Sequence, residues 1–156
     1  MPIIYQQESL VTVKDGLQNL LELEWEEVQH DVGADKPDPD WDTYFLLEDL
    51  GKLMIFTARS GGNIVGYFSA TINPDLHCKG KMLVCNDAIF VHPDYRKSGV
   101  GIRLFKFAEK CLSEDGFDRL YVNTTERNNI DGLMSHMGYI KTESRHFKWI
   151  GKKHAN

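Results

Sequence analysis

The stretch of sequence that decides the fold is residues 88–102, which read Ala-Ile-Phe-Val-His-Pro-Asp-Tyr-Arg-Lys-Ser-Gly-Val-Gly-Ile. An apolar strand pattern ends at a polar turn, and Gly99 and Gly101 then open a helical pattern. The first N–H groups of a helix lack intrahelical partners, and the helix dipole adds about half a positive charge there. Glycine lets a phosphate approach those groups without a Cβ atom in the way, and Arg96 and Lys97 add positive charge. The stretch therefore predicts a strand followed by a diphosphate-binding turn.

Two familiar phosphate-binding motifs do not fit this stretch. No Gly-Lys-Ser/Thr follows the glycines, which excludes a P-loop, and the third glycine of a dinucleotide-binding fingerprint is missing. A glycine-rich turn that merely starts a helix remains an alternative on these residues alone.

Around this stretch, the residue patterns predict alternating strands and helices. Apolar residues at three- and four-residue spacing predict helices, and β-forming runs bounded by turn residues predict strands. The predicted strands are Ile3–Glu8, Leu53–Arg59, Asn63–Ile72, Met82–Val91, Arg119–Asn123, Ile140–Arg145 and Phe147–Ile150; the predicted helices are Lys14 to about His30, Trp41–Leu50, Gly99 to about Glu114, and Asn129–Met137. The order predicts an α/β fold with one mixed sheet covered by helices.

Length and composition narrow the class of protein. The chain has 156 residues, 42% apolar and 26% charged, which is typical of one globular domain spanning residues 1–156. No apolar run approaches the ~20 residues of a membrane span, and the opening residues lack the pattern of a signal peptide. The three cysteines are an odd number without Cys-x-x-Cys spacing, which favours reduced thiols and a cytoplasmic protein.

The net charge of −5 is unevenly distributed along the chain. Residues 1–50 sum to −11, and residues 51–156 sum to +6. The excess of acidic residues is explained either by a solvated helix face or by a cationic partner near the acidic part and an anionic one near the basic part. Overall acidity argues against non-specific binding to nucleic acid.

The spacing Arg96-x-x-Gly99-x-Gly101 resembles the signature of the GNAT superfamily of N-acetyltransferases, which bind the diphosphate of acetyl-coenzyme A in this way. The lead-in Pro93-x-Tyr95-Arg96 and the pair Gly138-Tyr139 are also similar to that family, as is the order of elements from Ile3 to Ile150. His77-Cys78-Lys79 and Asp87 further resemble a subgroup often encoded in phage genomes.

The resemblance implies a six- to seven-stranded, mostly antiparallel sheet, flanked by about four helices and splayed between its fourth and fifth strands. It also implies roles for the residues that match the motif. Backbone amides of Lys97, Ser98, Gly99, Val100, Gly101 and Ile102 would bind the diphosphate beside Arg96. Ile89 and Val91 would pair with the pantetheine arm, and one N–H of that strand would face the thioester carbonyl.

Acetyl transfer to a primary amine implies a base, because an alkylamine with a pKa near ~10.4 is mostly protonated at neutral pH. Asp87 is the first candidate for this base; it lies two residues before Ile89 and is therefore expected on the same strand face. His77, in the loop before that strand, is the second candidate. Alternatively, Asp87 bonds to a neighbouring loop and His77 is a surface residue.

The sequence departs from the family pattern at one position. Many members have a tyrosine four residues before the helix-ending glycine to protonate the departing thiolate, and here that position is Met134. The acid is then supplied by another group such as Ser135 or Tyr139, or it is unnecessary. Met134 also leaves open a non-catalytic acyl-coenzyme A-binding module; a nucleotide-binding regulator is a third possibility.

The expected partners follow from the charges and from the resemblance. In this family the loop between the first two helices and the final strands shape the acceptor pocket; here that loop region carries Asp31, Asp35, Asp38, Asp40 and Asp42. A cationic amine acceptor is therefore expected: a polyamine, an amino sugar or a protein lysine. No metal is expected, because His77, Cys78, Cys85 and His92 match no common zinc spacing. A homodimer is possible, as is frequent in the family.

Overall fold

The computed structural model describes residues 1–28 and 36–151, and these fall into two compact units, the first up to residue 123 and the second from residue 124. The elements are β1 (Ile3–Glu8), α1 (Leu10–Val28), α2 (Trp41–Asp49), β2 (Leu53–Ser60), β3 (Asn63–Pro74), β4 (Met82–Val91), a 3-10 turn (Pro93–Ser98), α3 (Val100–Glu114), β5 (Leu120–Tyr121) and α4 (Asp131–His136). The predicted end of the first helix at His30 and the tail after residue 151 lie outside the described residues. Within the described ranges, no helix combines the length and apolarity needed to cross a membrane.

The first unit is built on a mixed sheet with the strand order β1-β2-β3-β4-β5. The first four strands are antiparallel neighbours, and β5 joins β4 in parallel. The hairpin between β2 and β3 turns at Gly61 and Gly62, both of which have positive φ angles. The mixed α/β fold is thereby confirmed, with five strands among the described residues instead of six or seven.

Helices cover both faces of this sheet. On one face, α1 packs Leu10, Val13 and Leu17 against a group that includes Ile55 and Phe90, because its apolar residues recur every three or four positions. On the other face, Phe105 of α3 lies edge-on to Phe68 of β3, with ring centroids 5.4 Å apart. The core of the unit therefore has two layers, one on each side of the sheet.

The predicted strands Ile140–Arg145 and Phe147–Ile150 are wrong. Residues 139–150 of the second unit have no regular secondary structure, and Ile140 and Ile150 are 85% and 93% exposed. A strand needs a neighbour to accept its hydrogen bonds, and the alternating pattern of a segment does not supply one.

A bulge in the β3–β4 ladder determines where Asp87 points. Ser69 pairs with Ala88 while Ala70 pairs with Asn86, so Asp87 is the extra residue on β4. A bulge breaks the simple alternation of side chains along a strand. Asp87 consequently lies on the α1 face together with Ala88, whereas Ile89 pairs with Phe68 of the α3 face. The prediction that Asp87 and Ile89 share a face is therefore wrong.

The second half of β4 has an open edge. The β4–β5 ladder has two residue pairs, Val84 with Leu120 and Cys85 with Tyr121. Among the described residues, β4 continues to Val91 without a further strand on this side. β4 and β5, the fourth and fifth strands of the sheet, therefore separate after Cys85.

Candidate active site

The turn between β4 and α3 places three backbone N–H groups at the start of a helix. Gly99 has a φ angle of 73°, which is left-handed and suits glycine, and its carbonyl accepts the first helical bond, from the Arg103 N–H at 3.2 Å. The N–H groups of Val100, Gly101 and Ile102 precede that bond and have no intrahelical acceptor. The predicted helix from Gly99 is thereby refined to a 3-10 turn over Pro93–Ser98 followed by α3.

The residues of this turn fit a diphosphate group. A Cβ atom at Gly101 would lie 3.7 Å from Cγ2 of Val91, which is ordinary contact, so the fold does not require glycine there. Lys97 and Ser98 are exposed on the preceding 3-10 turn, and the Ser98 hydroxyl donates to the Tyr95 carbonyl at 2.9 Å. Amides without intrahelical acceptors, a nearby cation and a glycine without a packing need are the features of an anion-binding helix start.

The open edge of β4 presents specific backbone groups. The N–H groups of Ala88 and His92 both point toward β3, donating to Ser69 Oγ at 3.1 Å and to the Val65 carbonyl at 2.8 Å. Because backbone groups alternate along a strand, those of Ile89 and Val91 point to the opposite, open edge. This edge leads directly into the amide-rich turn of α3.

Arg96 has structural partners in this arrangement. Its Nε donates to the Val91 carbonyl at 2.8 Å, and its guanidinium binds Glu27 of α1 at 2.8 Å and lies over the Phe90 ring. Arg96 therefore ties the turn to the end of β4 and to α1. Its predicted contribution to anion binding is its charge beside the turn, and that role stays a prediction.

A cavity of about 520 Å³ lies on the α1 face, beside the middle of β4. Its walls come from α1, α2, the sheet and residues 36–40 that precede α2. Trp25, Trp41 and Tyr44 supply aromatic surface, and four carboxylates reach it, from Glu24, Asp38, Asp40 and Asp87; Lys36 is the one cationic side chain among its described lining residues. The cavity therefore has the composition of a site for an organic cation.

Asp87 lines this cavity and is held by two hydroxyl groups. Tyr44 donates to its Oδ2 at 2.7 Å, and Ser69 donates to the same oxygen at 3.2 Å. The Asp87 side chain is otherwise exposed. The bulge, α2 and β3 thus fix the orientation of a carboxylate that a bound molecule can reach.

Glu24 brings a second carboxylate to the same cavity. It is 8% exposed, and Tyr67 of β3 donates a short hydrogen bond to its Oε2. Burial raises the pKa of Glu24 to about 7; the hydrogen bond from Tyr67 lowers it, and the charges of Asp87 and Glu27 raise it further. Burial beside these acidic groups also raises the pKa of Tyr67 well above its usual value, so Tyr67 remains a donor.

His77 lies apart from this cavity. It is exposed in the loop between β3 and β4, where its N–H donates to Asp75 Oδ1 at 2.9 Å. The strand from Met82 to Asp87 alone spans about 16 Å, at ~3.3 Å per residue. His77 does not line the cavity, in contrast to Asp87. Asp31 and Asp35 lie outside the described residues.

The second unit contains the short helix α4. Met134 is buried in it, its carbonyl accepts from the Tyr139 N–H at 2.9 Å, and Gly138 ends the helix with a φ angle of 89°. Ser135 is exposed and Tyr139 is half-buried. Gly138 ends the helix, as the sequence predicts. Four positions before it, the thioether side chain of Met134 is buried.

Four residues of the cavity were not predicted from the sequence: Glu24, Tyr44, Tyr67 and Ser69. One signal was available for Glu24: it continues the spacing of Leu10, Val13, Leu17 and Leu20 on the buried stripe of α1, where an apolar residue is expected. The two tyrosines and the serine gave no such signal, because their role depends on the packing of α1 and α2 on the sheet.

Known proteins provide an independent comparison. The model of the acetyltransferase (GNAT) family matches residues 15–138. No curated protein matches the chain significantly.

The fold is shared with solved structures at low sequence identity. An aminoglycoside acetyltransferase from an uncultured soil metagenomic sample, in complex with sisomicin, is 15% identical with a TM-score of 0.73, covering 96% of this chain and 97% of the other. A ribosomal-protein-alanine N-acetyltransferase from Brucella melitensis is 18% identical with a TM-score of 0.73 (96% and 100% covered). The aminoglycoside N-acetyltransferase AAC(6')-Iy in complex with CoA is 21% identical with a TM-score of 0.69 (95% and 94% covered). With the family model matching most of its length, the chain belongs to the acetyltransferase (GNAT) family.

Proposed function

We propose that this enzyme transfers an acetyl group from acetyl-coenzyme A to a cationic primary amine, by direct attack within a ternary complex. The observation that carries the proposal is the position of the carboxylate-lined cavity. Asp87 and Ala88 line it, and the same strand continues through Ile89 and Val91 into the amide-rich turn of α3. One strand therefore connects a site for a cation with a site for an anion.

The cosubstrate side of the proposal rests on the backbone. The N–H groups of Val100, Gly101 and Ile102 would bind the diphosphate, with Lys97, Ser98 and Gly99 contributing the preceding turn and Arg96 its charge. The backbone of Ile89 and the N–H of Val91 would pair with the pantetheine arm at the open edge of β4. The Val91 carbonyl already accepts from Arg96, so the arm would use the remaining groups. The related fold that binds CoA supports this arrangement.

The acceptor side rests on the charge of the cavity. Four carboxylates and one lysine favour a positively charged ligand, and indole and phenol rings favour an ammonium group further. The related fold that binds the aminoglycoside sisomicin supports an amine acceptor. Polyamines, amino sugars and lysine side chains share this chemistry.

Acetyl transfer then requires one proton to leave the ammonium before attack. The neutral nitrogen forms a bond to the thioester carbonyl carbon, and the carbon–sulfur bond breaks. A backbone N–H of β4 would stabilise the charge that develops on the carbonyl oxygen. The second proton lost by the nitrogen neutralises the thiolate; because a thiol has a pKa near ~8.5, the thiolate leaves readily, and Met134 does not prevent the reaction.

A screen of amine acceptors with detection of released thiol tests the proposal. Mono-, di- and polyamines, amino sugars and a lysine peptide are compared with hydroxyl analogues of the same length. Turnover confined to amines is expected. Thermal stabilisation by acetyl-coenzyme A without turnover on any amine would instead identify a binding module, and stabilisation only by ATP or NAD would identify a nucleotide regulator.

A further inference from the structure

Two of the four acidic residues that line the cavity, Asp87 and Glu24, have different surroundings, and the reaction needs one proton acceptor. Asp87 is exposed and accepts hydrogen bonds from the Tyr44 and Ser69 hydroxyls, which favour its charged form. Glu24 is buried on α1 and accepts a hydrogen bond from the Tyr67 hydroxyl. Two carboxylates with such different environments are suited to different tasks.

The sequence offers Asp87 and His77 as candidates for the base, but the geometry favours a division of roles between Asp87 and Glu24. We propose that Glu24 is the general base of the reaction and that Asp87, oriented by Tyr44 and Ser69, binds the ammonium group from which Glu24 takes the proton. This inference rests on the acetyl transfer proposed above. In this scheme, one N–H bond of the ammonium breaks and the proton moves to a Glu24 oxygen; the lone pair left on nitrogen attacks the thioester. Glu24 later releases the proton to water.

The groups around Glu24 support this role. Glu27 on α1, Tyr67 on β3, Tyr44 on α2 and Asp87 on β4 are its neighbours from the packed elements, and Lys36, Asp38 and Asp40 reach the same cavity. Burial keeps the carboxyl a better proton acceptor than a solvated one, since a base works best when its pKa lies near the working pH. A cationic ligand entering the cavity would favour the charged form of Glu24, against the burial and the nearby negative charges that raise its pKa.

The pH dependence of kcat/KM distinguishes Glu24 from Asp87. For an alkylamine acceptor, the wild-type value should rise tenfold per pH unit, level off near pH 7, and stay level until the amine itself titrates near ~10. Glu24→Gln keeps the shape of the side chain and an oxygen that can accept the hydrogen bond from Tyr67, but it removes the base. The kcat/KM of this variant should fall at least ~100-fold at pH 7.5. It should then rise continuously up to about pH 10, because only the free amine reacts.

Two further variants separate catalysis from folding. Tyr67→Phe removes a hydrogen bond that lowers the pKa of Glu24, so the break near pH 7 should move to higher pH with activity retained above it. Asp87→Asn should raise the acceptor KM and keep the break, which should move to lower pH because the Asp87 charge raises the pKa of Glu24. If Glu24 had only a structural role, Tyr67→Phe would leave the pH of this break in kcat/KM unchanged.

The outcomes are distinguishable from failure of the proposed function. Both Glu24→Gln and Asp87→Asn should bind acetyl-coenzyme A with wild-type affinity by calorimetry, because neither residue lies at the α3 turn. If the break near pH 7 persists in Glu24→Gln and vanishes in Asp87→Asn, the assignment is overturned in favour of Asp87. If the wild-type enzyme acetylates no amine, the proposed function fails before this inference is reached.

Discussion

Among individual residues, the two glycines of the α3 turn have different structural requirements. Gly101 is helical and a Cβ there would lie 3.7 Å from Val91, whereas Gly99 has a φ angle of 73°. Gly101→Glu should therefore fold normally but lose acetyl-coenzyme A binding, since its carboxylate would occupy the anion site. Calorimetric titration with acetyl-coenzyme A, alongside thermal unfolding, measures both effects.

Alanine variants at the same positions are the matched controls. Gly101→Ala should stabilise the protein by up to ~1 kcal/mol through helix propensity, while Gly99→Ala should destabilise it by about 1–2 kcal/mol through left-handed strain. Equal unfolding temperatures for the two alanine variants would contradict the backbone geometry of this turn.

The buried carboxyl of Glu24 should affect stability as well as catalysis. Its folded-state pKa of about 7 lies above the ordinary value of 4.5, so folding favours the protonated form. This stabilisation is fully present below pH 4.5 and is lost as the pH rises through about 7. Glu24→Gln should be more stable than the wild type at pH 8 by on the order of 3 kcal/mol, and the difference should vanish near pH 4.5. Urea unfolding at both pH values tests this; a difference independent of pH would exclude it.

Individual site residues were only partly predictable from the sequence. Asp87 was found because it precedes the diphosphate motif on β4, yet its orientation depends on a bulge that no residue pattern in β3 or β4 announces. Glu24 interrupts an apolar stripe, and whether such a residue is buried depends on how the helix packs. Tyr44 of α2 reaches Asp87, which lies 43 residues later in the sequence. A local residue pattern does not contain such long-range packing.

Among the elements, a charged cap joins α2 to the first residue of α1. Glu48 of α2 accepts a hydrogen bond from the Leu10 N–H, the first residue of α1, at 2.7 Å. Such a bond satisfies an N–H that has no intrahelical acceptor, and its loss typically costs ~1 kcal/mol. Glu48→Ala should lower the free energy of unfolding by about that amount, measured in urea, without changing the affinity for acetyl-coenzyme A.

Glu114 provides the control for this prediction. It is exposed near the end of α3 and forms a 3.7 Å pair with Lys110, one turn earlier. Exposed pairs of this kind contribute ~0.3–0.5 kcal/mol at most. A loss of stability in Glu114→Ala as large as that in Glu48→Ala would show that charge alone, and not the helix cap, is responsible.

The elements with a clear pattern were predicted well. The bounds of β1 and β4 agree with the prediction, since turn residues flank each alternating or apolar run. The start of α1 was placed four residues late, because Val11, Thr12 and Val13 are β-branched and mask the stripe that begins at Leu10. The strands predicted after Ile140 failed for a different reason: strand formation depends on a partner elsewhere in the molecule.

For the molecule as a whole, the uneven charge distribution should appear in the salt dependence of acceptor binding. The cavity is lined by four acidic residues and one lysine, and all of these except Asp87 belong to residues 1–50, which sum to −11. Added salt screens such attraction, and the effect grows with ligand charge. The KM of a diamine should therefore rise more steeply between 50 and 500 mM NaCl (about a tenfold range of ionic strength) than that of a monoamine of equal length. Identical slopes in steady-state kinetics would argue against electrostatic recognition of the acceptor.

The open edge of β4 links ligand occupancy to solubility. The backbone groups of Ile89 and the N–H of Val91 at this edge are a template on which a strand from another molecule can add. A thioester arm hydrogen-bonded to Ile89 and Val91 would cover this template and slow amide deuterium uptake there. Storage with coenzyme A should consequently suppress aggregation by more than the gain in unfolding temperature alone explains.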